Sequence, residues 1–244
     1  MRNLKLVIEY DGTNYQGWQS QKNKQTIQDV LEVVLSRIVN HKIRLIGSGR
    51  TDSGVHALGQ VANFWTYSQI SLTGLLKGAN SLLPPDILIK SIEEVPENFH
   101  ARFSATSRIY EYRIWNAPQP SVFHRYYYWW IKEPLNLNRM EEGVIYLIGE
   151  HDFSSFQGSD HKKKNSVREV KSAEFKRNGA ELIFSIQANA FLRHMVRNIV
   201  GTLVEIGKEK ISPLELKKIL NSRNRSCAGK TAPAHGLFLK EVCY

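Results

Sequence analysis

The stretch LKLVIEYDGTNYQGW, residues 4–18, is the point from which the fold can be predicted. It begins as a strand-like apolar run and ends at the turn residues Asp11 and Gly12. The next segment, TIQDVLEVVLSRIV, has apolar residues at helical spacing, with Thr26 as its expected N-cap. The stretches IRLIGSG, GQVANFW, SLTGLLKGANSLL and DILIKSIEEV then predict strand, strand, helix and strand. The order β-α-β-β-α-β is that of the split βαβ motif.

A similar order of elements follows in the second part of the chain. TSRIYEYRIWN predicts a strand, NLNRMEEGVIYLIG a helix, and SVREVKSAEFKRNG with AELIFSIQANA a hairpin that turns at Asn178-Gly179. FLRHMVRNIVGTLVEIG predicts a long amphipathic helix, SPLELKKILNS a shorter helix and GLFLKEVCY a closing strand. We therefore expect an α+β protein of two halves, residues 1–103 and 104–244.

The composition favours an anionic partner. The chain has 244 residues, with 33 Lys and Arg against 23 Asp and Glu, and a net charge of +10. Nucleic acid is the first candidate partner, while a solubility effect or an anionic membrane surface stays open. Two cysteines are too few for a disulfide framework, MRNLKLVIEYDG is typical of a strand rather than a signal peptide, and no apolar run is long enough to span a membrane. These features predict a cytosolic protein.

The stretch GSGRTDSGVHALGQV, residues 47–61, contains a lone carboxylate, Asp52, close to Arg50. Asp and Ser before Gly are ordinary turn-forming residues, which is the simplest interpretation. A neighbouring cation, however, keeps a carboxylate ionised and also binds phosphate. An ionised carboxylate in a cleft can act as a nucleophile or a general base.

Other stretches combine basic and aromatic residues. Arg108 and Tyr110 share one face of a predicted strand, where they either belong to the core or stack on a base and bind phosphate. Arg193 and Arg197 are one helical turn apart near the start of the predicted long helix. The basic run HKKKNSVREVK is either a solvated loop or a phosphate contact. The basic residues of that run considered as RNA-backbone candidates are Lys162, Lys163, Lys164 and Arg168.

No zinc motif, phosphate-binding loop or dinucleotide motif is present in the sequence. His151 and Asp152 in GEHDFSSF are the nearest approach to a metal pair. Adjacent residues seldom point at one ion in regular structure, so we interpret both as structural.

Several of these motifs, in this order, make the sequence similar to the tRNA pseudouridine synthases of the TruA type. The resemblance covers nearly the whole chain and rests on YDGTNYQGWQ, GRTDSGVHALGQV, RFSATSRIYEYRIWN, GEHDFSSF, FLRHMVRNIVGTLVEIG and APAHGLFLKEVCY. It implies two split-βαβ, ferredoxin-like halves with largely antiparallel sheets around a central cleft. It also implies a homodimer that needs no metal or organic cofactor and acts on tRNA in the cytoplasm.

The same resemblance assigns the reaction and its residues. It implies isomerisation of uridine to pseudouridine at positions 38, 39 and 40 of the anticodon arm. Asp52 matches the catalytic aspartate of the family, Tyr110 its active-site tyrosine, and Arg50 and Arg193 the arginines around the aspartate. Ser53 departs from the pattern, since the family usually has alanine there.

The residues alone leave three routes open for Asp52: attack on C1′, attack on C6 of the base, or removal of the 2′ proton. Two other functions also fit the sequence. A basic α+β domain with aromatic residues can bind RNA without catalysis. A carboxylate can also serve a glycosidase, although no second acid stands near Asp52 in the sequence.

Overall fold

A computed structural model describes residues 1–158 and 165–244, which form two compact units. The first unit comprises residues 1–106 and 238–244, and the second comprises residues 107–237. The closing residues 238–244 therefore lie in the first unit, although the order of the sequence predicts them in the second half.

The first unit contains the predicted β-α-β-β-α-β order followed by the closing strand. Its elements are β1 (Arg2–Tyr10), α1 (Ile27–Val39), β2 (Ile46–Gly47), β3 (His56–Thr66), α2 (Leu72–Leu82), β4 (Ile87–Val95) and, from the end of the chain, β10 (Leu237–Cys243).

The strands of the first unit form a sheet in which β1 lies between β4 and β3, with antiparallel pairing on both sides. Strand β2 pairs antiparallel with β3, and β10 pairs with β3 in parallel at Phe238 and Leu239. Alternate residues of β1 (Leu4, Leu6 and Ile8) are completely buried, which explains its strand-like pattern. The predicted N-cap of α1 is confirmed, because the Thr26 side chain accepts a hydrogen bond from the Asp29 amide.

The second unit is also built on paired strands. Its elements are β5 (Ser107–Asn116), β6 (Trp129–Ile131), α3 (Leu137–Val144), β7 (Gly149–Asp152), β8 (Val167–Asn178), β9 (Glu181–Ala188), α4 (Met195–Gly207) and α5 (Pro213–Ser222).

Among these strands β9 lies between β5 and β8 and pairs antiparallel with both, while β7 pairs antiparallel with β8. Strand β6 pairs in parallel with β5. In the second unit β9 pairs antiparallel with β5 and β8, just as β3 pairs antiparallel with β1 and β2 in the first unit. The predicted α+β class, with split βαβ motifs and largely antiparallel sheets, is confirmed.

Three local predictions differ from the structure. The long helix begins at Met195 rather than at Phe191, because His194 has a left-handed backbone with φ of 61°. Strands β6 and β7 were not predicted, since segments of three and four residues carry little periodic signal. The hairpin turns at Gly179 and the residue after it, one position later than predicted, and Asn178 still pairs with Glu181.

Helix α4 is buried on nearly all sides, although its sequence predicts an amphipathic helix. Eleven of its 13 residues are buried. The carbonyl of Lys230 approaches Gly201 so closely that a Cβ there would lie 1.7 Å from the oxygen. Asn198, also buried, donates to the Phe156 carbonyl at 2.7 Å and accepts from the Thr231 hydroxyl at 2.7 Å. Within the described ranges, none of the helices has the length and apolar character needed to cross a bilayer.

Candidate active site

Asp52 lies in the connection between β2 and β3 of the first unit, in a loop that we call the Asp52 loop (residues 47–56). Its side chain is half-buried, between buried Thr51 and exposed Ser53. The Asp52 carbonyl accepts a hydrogen bond from the Val55 amide at 3.1 Å, and Gly54 has a positive φ of 75°. The carboxylate is therefore carried on a tight turn, as the sequence predicts.

The peptide before Asp52 is held by residues 10–18, called here the 10–18 segment. The Tyr10 hydroxyl lies 2.7 Å from the Thr51 hydroxyl in the interior. The Trp18 amide donates to the Thr51 carbonyl at 3.2 Å. Two independent hydrogen bonds thus fix Thr51 from both its side chain and its backbone.

The residues after Asp52 are held by the same segment. The Ser53 hydroxyl donates to the Tyr15 carbonyl at 3.1 Å, and the Gly54 amide lies 3.4 Å from the same oxygen. The hydroxyl at Ser53, where alanine is usual in the resembling family, therefore adds one hydrogen bond to the loop.

The 10–18 segment approaches the Asp52 loop too closely for side chains at two of its glycines. A Cβ on Gly12 would lie 2.0 Å from the Val55 carbonyl oxygen. A Cβ on Gly17, whose φ is +88°, would lie 2.6 Å from the Thr51 carbonyl oxygen. Only glycine permits this approach, and at Gly17 only glycine adopts the backbone conformation without strain.

Two buried side chains complete the attachment. His56, the last residue of the loop, accepts a hydrogen bond at Nδ1 from the Gly12 amide at 3.0 Å, while its ring stacks on Phe238 at 4.6 Å. The Tyr15 hydroxyl donates to Asp86 at 2.7 Å, and burial together with this hydrogen bond raises the pKa of Tyr15. The hydroxyl therefore stays protonated and keeps its role as a donor at neutral pH.

Arg50 extends from the same loop into solvent. Its Nε donates to the Gln19 side chain at 3.2 Å, and Gln19 in turn donates to Gln28 at 2.8 Å. The exposed guanidinium is thus oriented by Gln19, which precedes α1, and through it by Gln28 in the first turn of α1.

The remaining candidates lie in the second unit. Tyr110 is half-buried on β5, and its ring packs edge-to-face on Phe191 at 4.9 Å. Arg108, on the same face of β5, donates to the Asn189 carbonyl at 2.9 Å. The structure therefore brings Tyr110 and Arg108 together with the segment that follows β9.

Arg193 and Arg197 do not share a helix face as predicted, because α4 starts only at Met195. Arg193 is exposed in the preceding turn, and its carbonyl accepts from the Gly158 amide at 2.9 Å. Arg197 lies in the first turn of α4, where its Nε donates to the Ala232 carbonyl at 2.8 Å.

The basic run is described only in part. Arg168, on β8, donates to the Asn165 carbonyl at 3.3 Å, and burial lowers its pKa from the ordinary value. Lys162, Lys163 and Lys164 lie outside the described residues.

His151 and Asp152 have structural partners. The Asp152 carboxylate accepts hydrogen bonds from Ser166 at 2.5 Å and from the Ser154 amide at 3.0 Å. Burial by itself raises the pKa of this carboxyl, but these hydrogen bonds and Arg223 outweigh it, and the pKa is lowered. Among residues 1–158 and 165–244, no three or more His, Cys, Asp or Glu side chains gather as potential metal ligands.

The 10–18 segment is the part of this site that sequence reasoning missed. Its motif was used for the resemblance, but no role was assigned to Tyr10, Tyr15 or Trp18. Gly12 and Gly17 were the available signal, since both fit a place where another backbone approaches closely.

Comparison with known proteins identifies the family. A family model described as tRNA pseudouridine synthase matches residues 6–104 and 144–244. A relative from Acetivibrio thermocellus, tRNA pseudouridine synthase A, is 46% identical over 244 residues and is covered completely, as is this chain. Relatives of the same name from Methylococcus capsulatus (44% identity, 99% of this chain and 89% of the relative) and Clostridium acetobutylicum (43% identity, 100% of both) are similar. The chain therefore belongs to the tRNA pseudouridine synthases, isomerases that act on uridine in tRNA.

Proposed function

We propose that this protein converts uridine to pseudouridine at positions 38, 39 and 40 of the tRNA anticodon arm, with Asp52 as the catalytic carboxylate and without a cofactor. The observation that carries the proposal is the fixation of the Asp52 loop. Hydrogen bonds from the 10–18 segment hold the residues on both sides of Asp52, while the carboxylate itself stays half-exposed. A reactive group that is fixed in this way meets the requirement for pre-organisation in catalysis.

The isomerisation of uridine can be carried out by a carboxylate such as that of Asp52. The N1–C1′ bond breaks, the uracil turns, C5 bonds to C1′, and the proton on C5 is lost while N1 gains one. Nothing is oxidised and no water is consumed overall. Asp52 as a carboxylate can attack C1′, add to C6 or remove the 2′ proton, and each route begins with the ionised form.

The other candidates have roles in binding the substrate. A uridine in a stem must leave the helix to be reached, at a cost of a few kcal/mol. The exposed Arg50 guanidinium, oriented by Gln19, supports a role in filling the space that the uridine leaves. We assign Tyr110 to stacking on the uracil and Arg193 to binding the nucleotide.

Arg108, Arg197 and Arg168 are proposed contacts to the RNA backbone. Each guanidinium already donates to a backbone carbonyl, so its position is constrained before RNA binds. Acting at three adjacent positions favours recognition of tRNA shape and backbone over base sequence. The homodimer implied by the resemblance is part of the proposal, and light scattering at working concentration tests it.

The decisive experiment is Asp52→Asn assayed on a tRNA transcript, with pseudouridines mapped by chemical probing. We expect turnover to be lost and tRNA binding to be retained, because the amide keeps the shape but cannot act as a nucleophile or base. Glu241→Gln, at an exposed carboxylate of the same unit, is the matched control and should retain full activity. Full activity of Asp52→Asn would disprove the assignment, and release of free uracil by the wild type would indicate hydrolysis instead. Activity should also survive EDTA.

A further inference from the structure

Phe103 is an exposed aromatic residue in the first unit, in the segment 96–104 that connects β4 and β5. Three quarters of its side chain is accessible to solvent (75%). A single exposed apolar residue is common on protein surfaces and needs no explanation by itself. Phe103 differs because its backbone is fixed and its ring is bordered by an arginine and an imidazole side chain.

The segment that carries Phe103 is anchored by buried polar side chains. Asn3 donates to the Phe99 carbonyl at 2.9 Å and accepts from the Asn63 amide group at 2.9 Å. Asn63 also accepts from the Ala101 amide at 2.9 Å, and the Tyr244 hydroxyl donates to the Ala101 carbonyl at 2.7 Å. Since Asn3 and Asn63 are at most 2% exposed, the anchor belongs to the interior of the sheet.

The tip of the segment is fixed as well. The Nδ1 atom of His100 accepts from the amides of Arg102 at 3.2 Å and Phe103 at 3.3 Å. The Ser104 amide donates to the His100 carbonyl at 2.9 Å, and the Ser104 hydroxyl accepts from the His100 amide at 3.1 Å. The ring of Phe103 is thus presented on a closed, hydrogen-bonded turn.

Two side chains with cationic or polar heads border the ring. The guanidinium carbon of Arg102 lies 5.5 Å from the centroid of Phe103. The imidazole of His100 lies 4.3 Å from it, with an interplanar angle of 33°. A nucleobase that stacks on an aromatic ring brings its phosphate close by, where an arginine can bind it.

We propose that Phe103 and Arg102 form an RNA-binding site, in which Phe103 stacks on an unpaired base of the tRNA and Arg102 binds the adjacent phosphate. The inference rests on the proposed function in one respect, namely that tRNA is the substrate. Two features favour RNA over a protein partner: the arginine at the ring and the net charge of +10. The fixed turn reduces the entropy that is lost on binding.

The test measures equilibrium binding of a tRNA transcript to the full-length protein. Phe103→Ala should weaken binding about tenfold, within the range that base–aromatic stacking supports. Phe103→Trp should restore it, whereas Phe103→Leu, which is apolar but has no aromatic face, should stay as weak as alanine. Tyr67→Ala is the matched control, since Tyr67 is an aromatic residue of the same unit with 72% exposure. It should bind tRNA like the wild type.

Arg102→Ala should make the dependence of log K on log salt less steep by about one, because the arginine neutralises a phosphate and thereby releases its counterion. Phe103→Ala should leave this salt dependence unchanged. Unaltered binding by Phe103→Ala, or equal binding by the leucine and tryptophan variants, would overturn the proposal. A change of oligomeric state in Phe103→Ala, measured by light scattering, would assign the residue to a protein contact and would also overturn it. Pseudouridine formation is measured separately, so a wild type that binds tRNA without modifying it would refute the activity and leave the Phe103 result standing.

Discussion

Replacing Gly17 by alanine should damage catalysis through the peptide that precedes Asp52. Gly17 has a φ of +88°, and a Cβ there would lie 2.6 Å from the Thr51 carbonyl oxygen. It would also lie 3.1 Å from the Asp52 carbonyl carbon and 3.2 Å from the Ser53 nitrogen. The added methyl group therefore presses on the backbone at both sides of the Asp52 residue.

The size of the effect follows from these distances. Ordinary contact begins at 3.4 Å, so the Thr51 oxygen is about 0.8 Å too close and the loop must shift by roughly that amount. A displacement of about 1 Å at a reacting group costs roughly 100-fold in rate. That loss corresponds to about 2.7 kcal/mol of transition-state stabilisation. The left-handed backbone adds roughly 1–3 kcal/mol of destabilisation when alanine occupies it.

Gly179→Ala separates these two effects. Gly179 also has a positive φ, of +58°, but a Cβ there meets nothing within 4 Å. Both variants should lose stability through backbone strain, whereas only Gly17→Ala should lose activity.

The assay for this pair of variants is steady-state formation of pseudouridine at saturating tRNA, which gives kcat, with tRNA affinity and thermal unfolding measured in parallel. We expect kcat of Gly17→Ala to fall about 100-fold while tRNA affinity is preserved. A folded Gly17→Ala protein with wild-type kcat would refute the role of the 10–18 segment in positioning Asp52.

Two further predictions concern the same structure. Tyr10→Phe removes the hydroxyl that contacts Thr51 at 2.7 Å, and the unfolding free energy should fall by about 1–2 kcal/mol; kcat should fall as well, at unchanged tRNA affinity. The double variant Tyr10→Phe/Thr51→Val should lose less unfolding free energy than the sum of the losses in the two single variants. Full additivity of these losses would contradict the contact. Burial, with a smaller effect of Arg197, lowers the pKa of His235 below 6.5, although its contact with the Tyr128 carbonyl opposes this. The neutral ring therefore contributes stability above about pH 6.5 that is lost as the pH falls through the lowered pKa. Urea unfolding measured from pH 7.5 to about 5 should show that the unfolding free energy declines less steeply with falling pH in His235→Asn than in the wild type. Identical pH dependence of the two proteins would contradict the prediction.

The regular elements of the first unit were predictable because their signals are local. The alternating burial of β1 follows from side chains that point to opposite faces of a strand. The start of α1 follows from Thr26, whose side chain caps the first turn. Such patterns lie within a few residues of the feature that they determine.

The start of α4 was predicted wrongly because the apolar pattern begins before the helix does. Phe191 and Leu192 extend its apolar pattern, but the left-handed residue His194 interrupts the backbone. A left-handed backbone is uncommon for any residue other than glycine, and the apolar pattern gives no sign of it. Arg193 consequently lies in a turn rather than on the helix.

The residue types of the candidate site could be predicted from the sequence, whereas the contacts that hold the Asp52 loop could not. Asp52 and Arg50 were identified from one loop and from the family resemblance. The hydrogen bonds between the Asp52 loop and Tyr10, Tyr15 and Trp18 join residues that are more than 30 positions apart in the sequence. The periodicity of the sequence does not predict such contacts.

The attachment of the Asp52 loop to the 10–18 segment has a consequence for protein engineering. Transfer of residues 47–56 alone onto another scaffold would remove the hydrogen-bond donors and acceptors of the 10–18 segment and the two glycines that allow its close approach. The transferable unit is instead a pair of segments joined to neighbouring strands, one after the end of β1 and one before the start of β3, with these strands kept in their antiparallel register. Libraries that vary either segment should therefore vary both together, because a substitution in one is accommodated only by a matching change in the other.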